Sequence, residues 1–128
     1  MRRLAVLLAA AVVAAPVAAP AAARAPVTAV GVSEREFSLS LYRRAVPAGT
    51  VRFNITNFGE DVHNLVARGP GGVRLPASRG IGAGDRVSVT WRLRRPGRWV
   101  LLCTKAGHAR LGMWAVLVVR KRFPRTPR

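Results

Sequence analysis

Three side-chain types are scarce enough in this chain to be informative. Its one cysteine is Cys103, its two histidines are His63 and His108, and its one methionine besides the initiator is Met113. Three of these four fall in a single short stretch, Cys103-Thr104-Lys105-Ala106-Gly107-His108-Ala109-Arg110-Leu111-Gly112-Met113. A thiolate, an imidazole and a thioether are soft donors. With a second imidazole they make the trigonal His2Cys set with a weak axial thioether, which selects copper and supports one-electron transfer. The second imidazole can come only from His63. Taken singly, a Cys ahead of an apolar strand is usually a small buried hydrophobe and a loop Met usually packs. The weight lies in the joint pattern, because every such residue falls where one copper ion would need it.

Counting removes several alternatives. A binuclear copper centre needs two cysteines and this chain has one, while further copper centres need histidines beyond His63 and His108. A structural zinc site takes four Cys or His ligands, and only three exist here. A Cys/His hydrolase passes the count but wants an orienting amide or acid and an oxyanion hole, to which nothing in the sequence points. The expectation is a copper-binding protein that is not an enzyme.

Strands must position these donors. Phe37, Leu39 and Leu41 alternate with Ser38, Ser40 and Tyr42, and Val51, Phe53 and Ile55 alternate with Arg52, Asn54 and Thr56. Such period-2 patterns mark half-buried strands. Pro47-Ala48-Gly49 reads as the turn between them. Val62 to Ala67 reads as a short strand carrying His63, and Val87 to Leu93 and Arg98 to Cys103 as two more, joined by the Arg95-Pro96-Gly97 turn. Trp114 to Val119 reads as a final strand apolar on both faces. The Gly- and Pro-rich stretch from Arg68 to Gly84 is long for a loop and suits a crossing between sheets. Helical periodicity and internal repeats are missing. The expected fold is all-β, a single-domain Greek-key β-sandwich, with Cys103, His108 and Met113 on one hairpin connection and His63 arriving from another strand.

At the amino end, Met1-Arg2-Arg3 is a positive n-region, Leu4 to Ala15 an apolar run, and Ala21-Ala22-Ala23 a small-residue cleavage site. Residues 1–23 therefore read as a signal peptide, with an uncleaved anchor as the alternative. Residues 24–33 read as a flexible lead-in, 34–122 as the domain and 123–128 as a basic tail. An exported protein with one cysteine forms no internal disulfide, which raises the expectation that the thiol binds metal. The chain is expected in the periplasm, at the cell surface or secreted. Its formal net charge is +17, which suits an acidic redox partner or contact with an anionic membrane surface. Nucleic acid is disfavoured, since the basic residues are scattered and no docking helix or aromatic-basic cluster accompanies them. A monomer is expected.

The stretch from Phe37 to Val119 resembles the small blue-copper proteins, the plastocyanin/azurin-like cupredoxins. The residues carrying the resemblance are Val51-Arg-Phe-Asn-Ile-Thr-Asn57, the Gly59-Glu-Asp-Val-His63-Asn64 segment and the Cys-x4-His-x4-Met loop before the last strand. The resemblance implies one mononuclear type 1 copper, cycling between Cu(I) and Cu(II), held by His63, Cys103, His108 and Met113. It also implies that Asn64 and Thr104 hydrogen-bond between the two ligand segments. Lys105-Ala106, where related loops commonly carry Pro before Gly-His, and Leu102, where an aromatic residue is common, depart from the pattern without removing a donor. The implied function is that of a one-electron carrier. A copper storage or delivery protein using the same donors, and a metal-free basic sandwich that binds a partner, are the alternatives.

Overall fold

The computed structural model describes residues 24–122; the expected signal peptide and basic tail lie outside the described residues. Eight strands run in chain order: β1 Thr28–Arg35, β2 Ser38–Leu41, β3 Ala45–Pro47, β4 Gly49–Asn57, β5 Val66–Arg68, β6 Arg86–Leu93, β7 Gly97–Leu102 and β8 Trp114–Arg120. They form two four-stranded sheets, ordered β2-β1-β4-β6 and β3-β8-β7-β5. The only helical turn among the described residues is a 3-10 turn over Pro70–Gly72. The expected all-β sandwich is therefore the observed fold.

Alternation drives the assembly. Along β4, Val51, Phe53, Ile55 and Asn57 are buried between Arg52, Asn54 and Thr56, and β4 lies between β1, parallel to it, and β6, antiparallel. Trp99 and Leu101 of β7 and Leu117 and Val119 of β8 supply the opposite wall, and Leu65 and Ile81 join the same core. Burying each such apolar side chain stabilises the fold by about 1.5–3 kcal/mol relative to leaving it in water. The Gly- and Pro-rich stretch does cross between sheets, leaving β5 in one and entering β6 in the other.

Five local expectations change. Residues from Thr28 onward are not a lead-in: β1 begins there, pairs with β2 and β4, and buries Val30 and Val32. Its period was masked because Ala29, Gly31 and Ser33 give little contrast on the outer face and a carboxylate, Glu34, stands on the inner one. Phe37 is not in a strand but at the β1–β2 hairpin tip, and Pro47 ends the short strand β3 rather than starting a turn. The strand expected over Val62 to Ala67 shrinks to β5, and His63 makes only an isolated bridge to Ile81. Finally, β8 is not apolar on both faces in effect: Leu117 and Val119 are buried, whereas Trp114 and Val118 are exposed.

Candidate metal centre

Strands β7 and β8 are antiparallel partners, with Leu102 opposite Trp114, so the loop between them is anchored at both ends. Across its neck Cys103 N–H donates to Met113 O at 3.1 Å, and Met113 N–H donates to His108 O at 3.0 Å. Further turns close from His108 N to Lys105 O and from Gly112 N to Ala109 O. Gly107 and Gly112 take φ values of +81° and +115°, a region side chains with a Cβ rarely adopt. They let the loop fold back so that His108 stands beside Cys103. Cys103 and Met113 are fully buried.

His63 enters from the connection between β4 and β5. Its N–H donates to Ile81 O and its C=O accepts from Ile81 N–H, so one two-way bridge fixes its backbone, and its side chain is fully buried. The bend that leads to it is shaped by Asn57. This buried amide donates to Asp61 O at 2.7 Å and Ile81 O at 2.9 Å, and accepts from Gly59 N–H at 2.8 Å.

The donors converge. His63 Nδ1 lies 3.2 Å from His108 Nδ1, and Cys103 Sγ lies 3.7 Å from His108 Nδ1. One donor atom from each of the three residues falls within 4.8 Å of the others. Imidazole and thiolate bonds of about 2.0 and 2.3 Å to a small divalent ion place neighbouring donors roughly 3.2–3.7 Å apart, so the spacing suits one ion. Two imidazole nitrogens facing each other at 3.2 Å need a cation or a proton between them. The pair of imidazoles with a thiolate is a donor set that copper favours.

Two features surround the donors. Asn64 Nδ2 donates to Thr104 Oγ1 at 2.8 Å, and Thr104 N–H donates to Asn64 Oδ1 at 2.8 Å. The two ligand segments are thus tied side by side, forty positions apart in the chain. At the β1–β2 hairpin tip, Glu36 Oε1 lies 2.9 Å from His63 Nε2 and also accepts from Glu60 N–H and Asp61 N–H. The Asp61 amide, with help from Glu60 and His63, holds the Glu36 carboxyl down at about 2. Next to it Phe37 meets the His108 ring edge-on, with centroids 5.0 Å apart. The outer nitrogen of His108 faces Asp61 at 4.0 Å, and the His108 side chain is 13% exposed whereas that of His63 is closed to solvent.

Sequence reasoning missed Glu36 and Phe37. Nothing local ties residue 36 to residue 63. A signal was nevertheless present: Glu36, Glu60 and Asp61 are three of the five carboxylates in a chain of net charge +17, and such scarcity was used only for Cys, His and Met.

A Greek-key sandwich with this pole of donors is a cupredoxin, and its cofactor is one copper ion. Residues 52–127 match the sulfocyanin (SoxE) domain, and the chain belongs to that family. Among solved structures it is similar to auracyanin B, at 23% identity and a TM-score of 0.63, over 73% of this chain and 88% of that one. It is also similar to dithionite-reduced auracyanin from the photosynthetic bacterium Roseiflexus castenholzii, at 20% identity and a TM-score of 0.59, over 73% of this chain and 97% of that one. Reduced rusticyanin matches at 22% identity and a TM-score of 0.55, over 73% of this chain and 79% of that one. At these identities the likeness is one of fold. No curated protein sequence matches the chain.

Proposed function

We propose that this cupredoxin is a one-electron carrier rather than an enzyme, with His63, His108 and Cys103 as the equatorial ligands and Met113 as the axial one. Copper, when bound, supplies a Cu(I)/Cu(II) couple. The chain's part is to hold four donors still, so that little rearrangement accompanies a change of charge. The β7–β8 connection holds Cys103, His108 and Met113, the Ile81 bridge holds His63, and the Asn64–Thr104 pair keeps the two segments in register. The observation that carries the reading is the asymmetry of the two imidazoles. His63 is enclosed, while His108 reaches the surface beside half-exposed Phe37, with exposed Leu111 on the same loop, which gives an electron one short way out.

The partner is a redox protein with an acidic docking surface. Among the described residues no Lys or Arg makes an ion pair with a carboxylate; the two such contacts both involve histidine. The basic charge is therefore free to steer an acidic partner. Arg68, Lys105 and Arg110 line a depression of about 450 Å³ over Cys103, which offers one place for it. The carrier works as a monomer outside the cytoplasm, with residues 1–23 as its export signal, a domain reaching to residue 122 and a basic tail beyond, able to touch an anionic membrane surface.

The test is to add Cu(II) to the purified protein and record its visible spectrum and voltammogram, then repeat with Cys103→Ser. An intense charge-transfer band with reversible one-electron cycling, lost in the serine variant, is the expected result. A parent that binds copper without cycling and gives it up quickly to a modest chelator would make this a storage or delivery protein. A Cys103→Ser variant that keeps the band would refute the site.

A further inference from the structure

The contact between Glu36 and His63 does more than close a loop. Glu36 Oε1 receives three N–H groups: Asp61 N at 2.8 Å, Glu60 N at 2.9 Å and His63 Nε2 at 2.9 Å. A carboxylate can only accept, so the third bond requires the proton of His63 to sit on Nε2. That leaves the Nδ1 lone pair bare, and Nδ1 is the nitrogen facing His108. The carboxylate thus selects the tautomer whose free nitrogen points into the donor cluster.

The chain has built a seat for this oxygen. Asn57 holds the bend through Gly59 and Asp61, which aims two successive amides outward at one point. A Cβ on Gly59 would collide with both Glu36 carboxylate oxygens, so position 59 has room for the carboxylate only as glycine. The side chain of Glu36 is 27% exposed, and Arg and Lys make no ion pair with it among the described residues. Its negative charge is therefore not cancelled by a neighbouring cation.

We propose that Glu36 is a positioning residue for the copper centre: through His63 Nε2 it fixes which nitrogen faces the ion, and its charge favours Cu(II) over Cu(I). This rests on the copper reading above. Carboxylate partners behind metal-bound imidazoles orient the ring and raise its basicity, and removing them typically costs about 10–100-fold in metal affinity. An added negative charge beside the site stabilises its more positive oxidation state, so the reduction potential of the parent is lower than it would be without Glu36.

Two variants separate hydrogen bonding from charge. Glu36→Gln keeps an oxygen that accepts the same three N–H groups but is neutral; Glu36→Ala removes both. In the copper-free protein, nitrogen-15 NMR of the imidazoles should show His63 as the Nε2–H form in the parent and in Glu36→Gln, and a mixture of forms in Glu36→Ala. In the copper-loaded protein, spectroelectrochemistry should show a higher midpoint potential for Glu36→Gln. A tenfold loss of preference for Cu(II) corresponds to about 59 mV for one electron. Glu36→Ala should in addition lose about 10–100-fold in Cu(II) affinity. Gly59→Ala retains the charge but displaces it, and should give the alanine variant's tautomer mixture. If His63 keeps one tautomer in Glu36→Ala, or if the potential of Glu36→Gln equals that of the parent, the proposal is wrong. A parent without a charge-transfer band would instead overturn the copper reading itself.

Discussion

Replacing Glu34 with glutamine should remove a pH dependence from the stability of this protein. Glu34 stands on the inner face of β1, opposite Leu39 of β2 and Asn57 of β4, and neither of its carboxyl oxygens has a hydrogen-bond partner. Burial strips its hydration and pushes the carboxyl from 4.5 up to about 7, because an unpaired charge is costly away from water. Between those two pH values the folded chain holds a proton that the unfolded chain has released. The stabilisation is therefore complete below 4.5 and is lost as pH rises through about 7. Each pH unit in that window is worth about 1.4 kcal/mol, which caps the effect at roughly 3 kcal/mol. Water reaching the carboxyl lowers it further. The assay is urea denaturation of the copper-free parent and Glu34→Gln, at intervals from about pH 4.5 to 8.5. Taking the difference between the two proteins cancels every other titrating group. The parent should lose about 2–3 kcal/mol relative to the variant across the window. A difference that stays flat would mean that the carboxyl is hydrated or paired, and the reasoning would fail.

Two further outcomes concern the scaffold. Asn64→Ala removes the two strong bonds to Thr104; at about 0.5–1.5 kcal/mol each, it should cost about 1–2 kcal/mol and hasten copper loss to a chelator. A variant as stable and as retentive as the parent would show that the pair is incidental. Gly69→Ala would place a Cβ 2.7 Å from atoms of the Trp99 ring, whose indole N–H donates to Arg95 O. Overpacking of this kind costs about 1–3 kcal/mol, readable as a lower thermal midpoint with altered tryptophan emission, and an unchanged midpoint would argue against the close contact.

Much of this centre was legible because its donors are chemically rare. His63, Cys103 and His108, which the fold brings together, and Met113, proposed as the axial donor, needed no alignment to be singled out, and the period-2 runs in β4 and β6 were strong enough to mark the strands around them. The Asn64–Thr104 tie was reachable only through resemblance, since forty positions separate its partners. The rarity of carboxylates could have drawn attention to Glu36, but local pattern could not place Glu36 or Phe37 at the site, because their contacts depend on the β1–β2 hairpin packing against the Asn57–Asp61 bend. Strand β1 itself went unread because a core-facing carboxylate and small outward residues flatten the hydropathy contrast on which such reading depends. The short strands β3 and β5 owe their shape to sheet partners rather than to local pattern.

The enclosure of Cys103 changes how its lone sulfur should be regarded. A thiol without a mate is ordinarily vulnerable to oxidants and to coupling with another molecule, and occupancy by metal is one defence. Here the sulfur has no solvent-accessible surface, and joining two chains would demand an S–S distance near 2.05 Å that a fully covered atom cannot reach without unfolding its loop. The protein's architecture alone thus shelters the sulfur, and an empty chain can wait for its cargo without being spoiled.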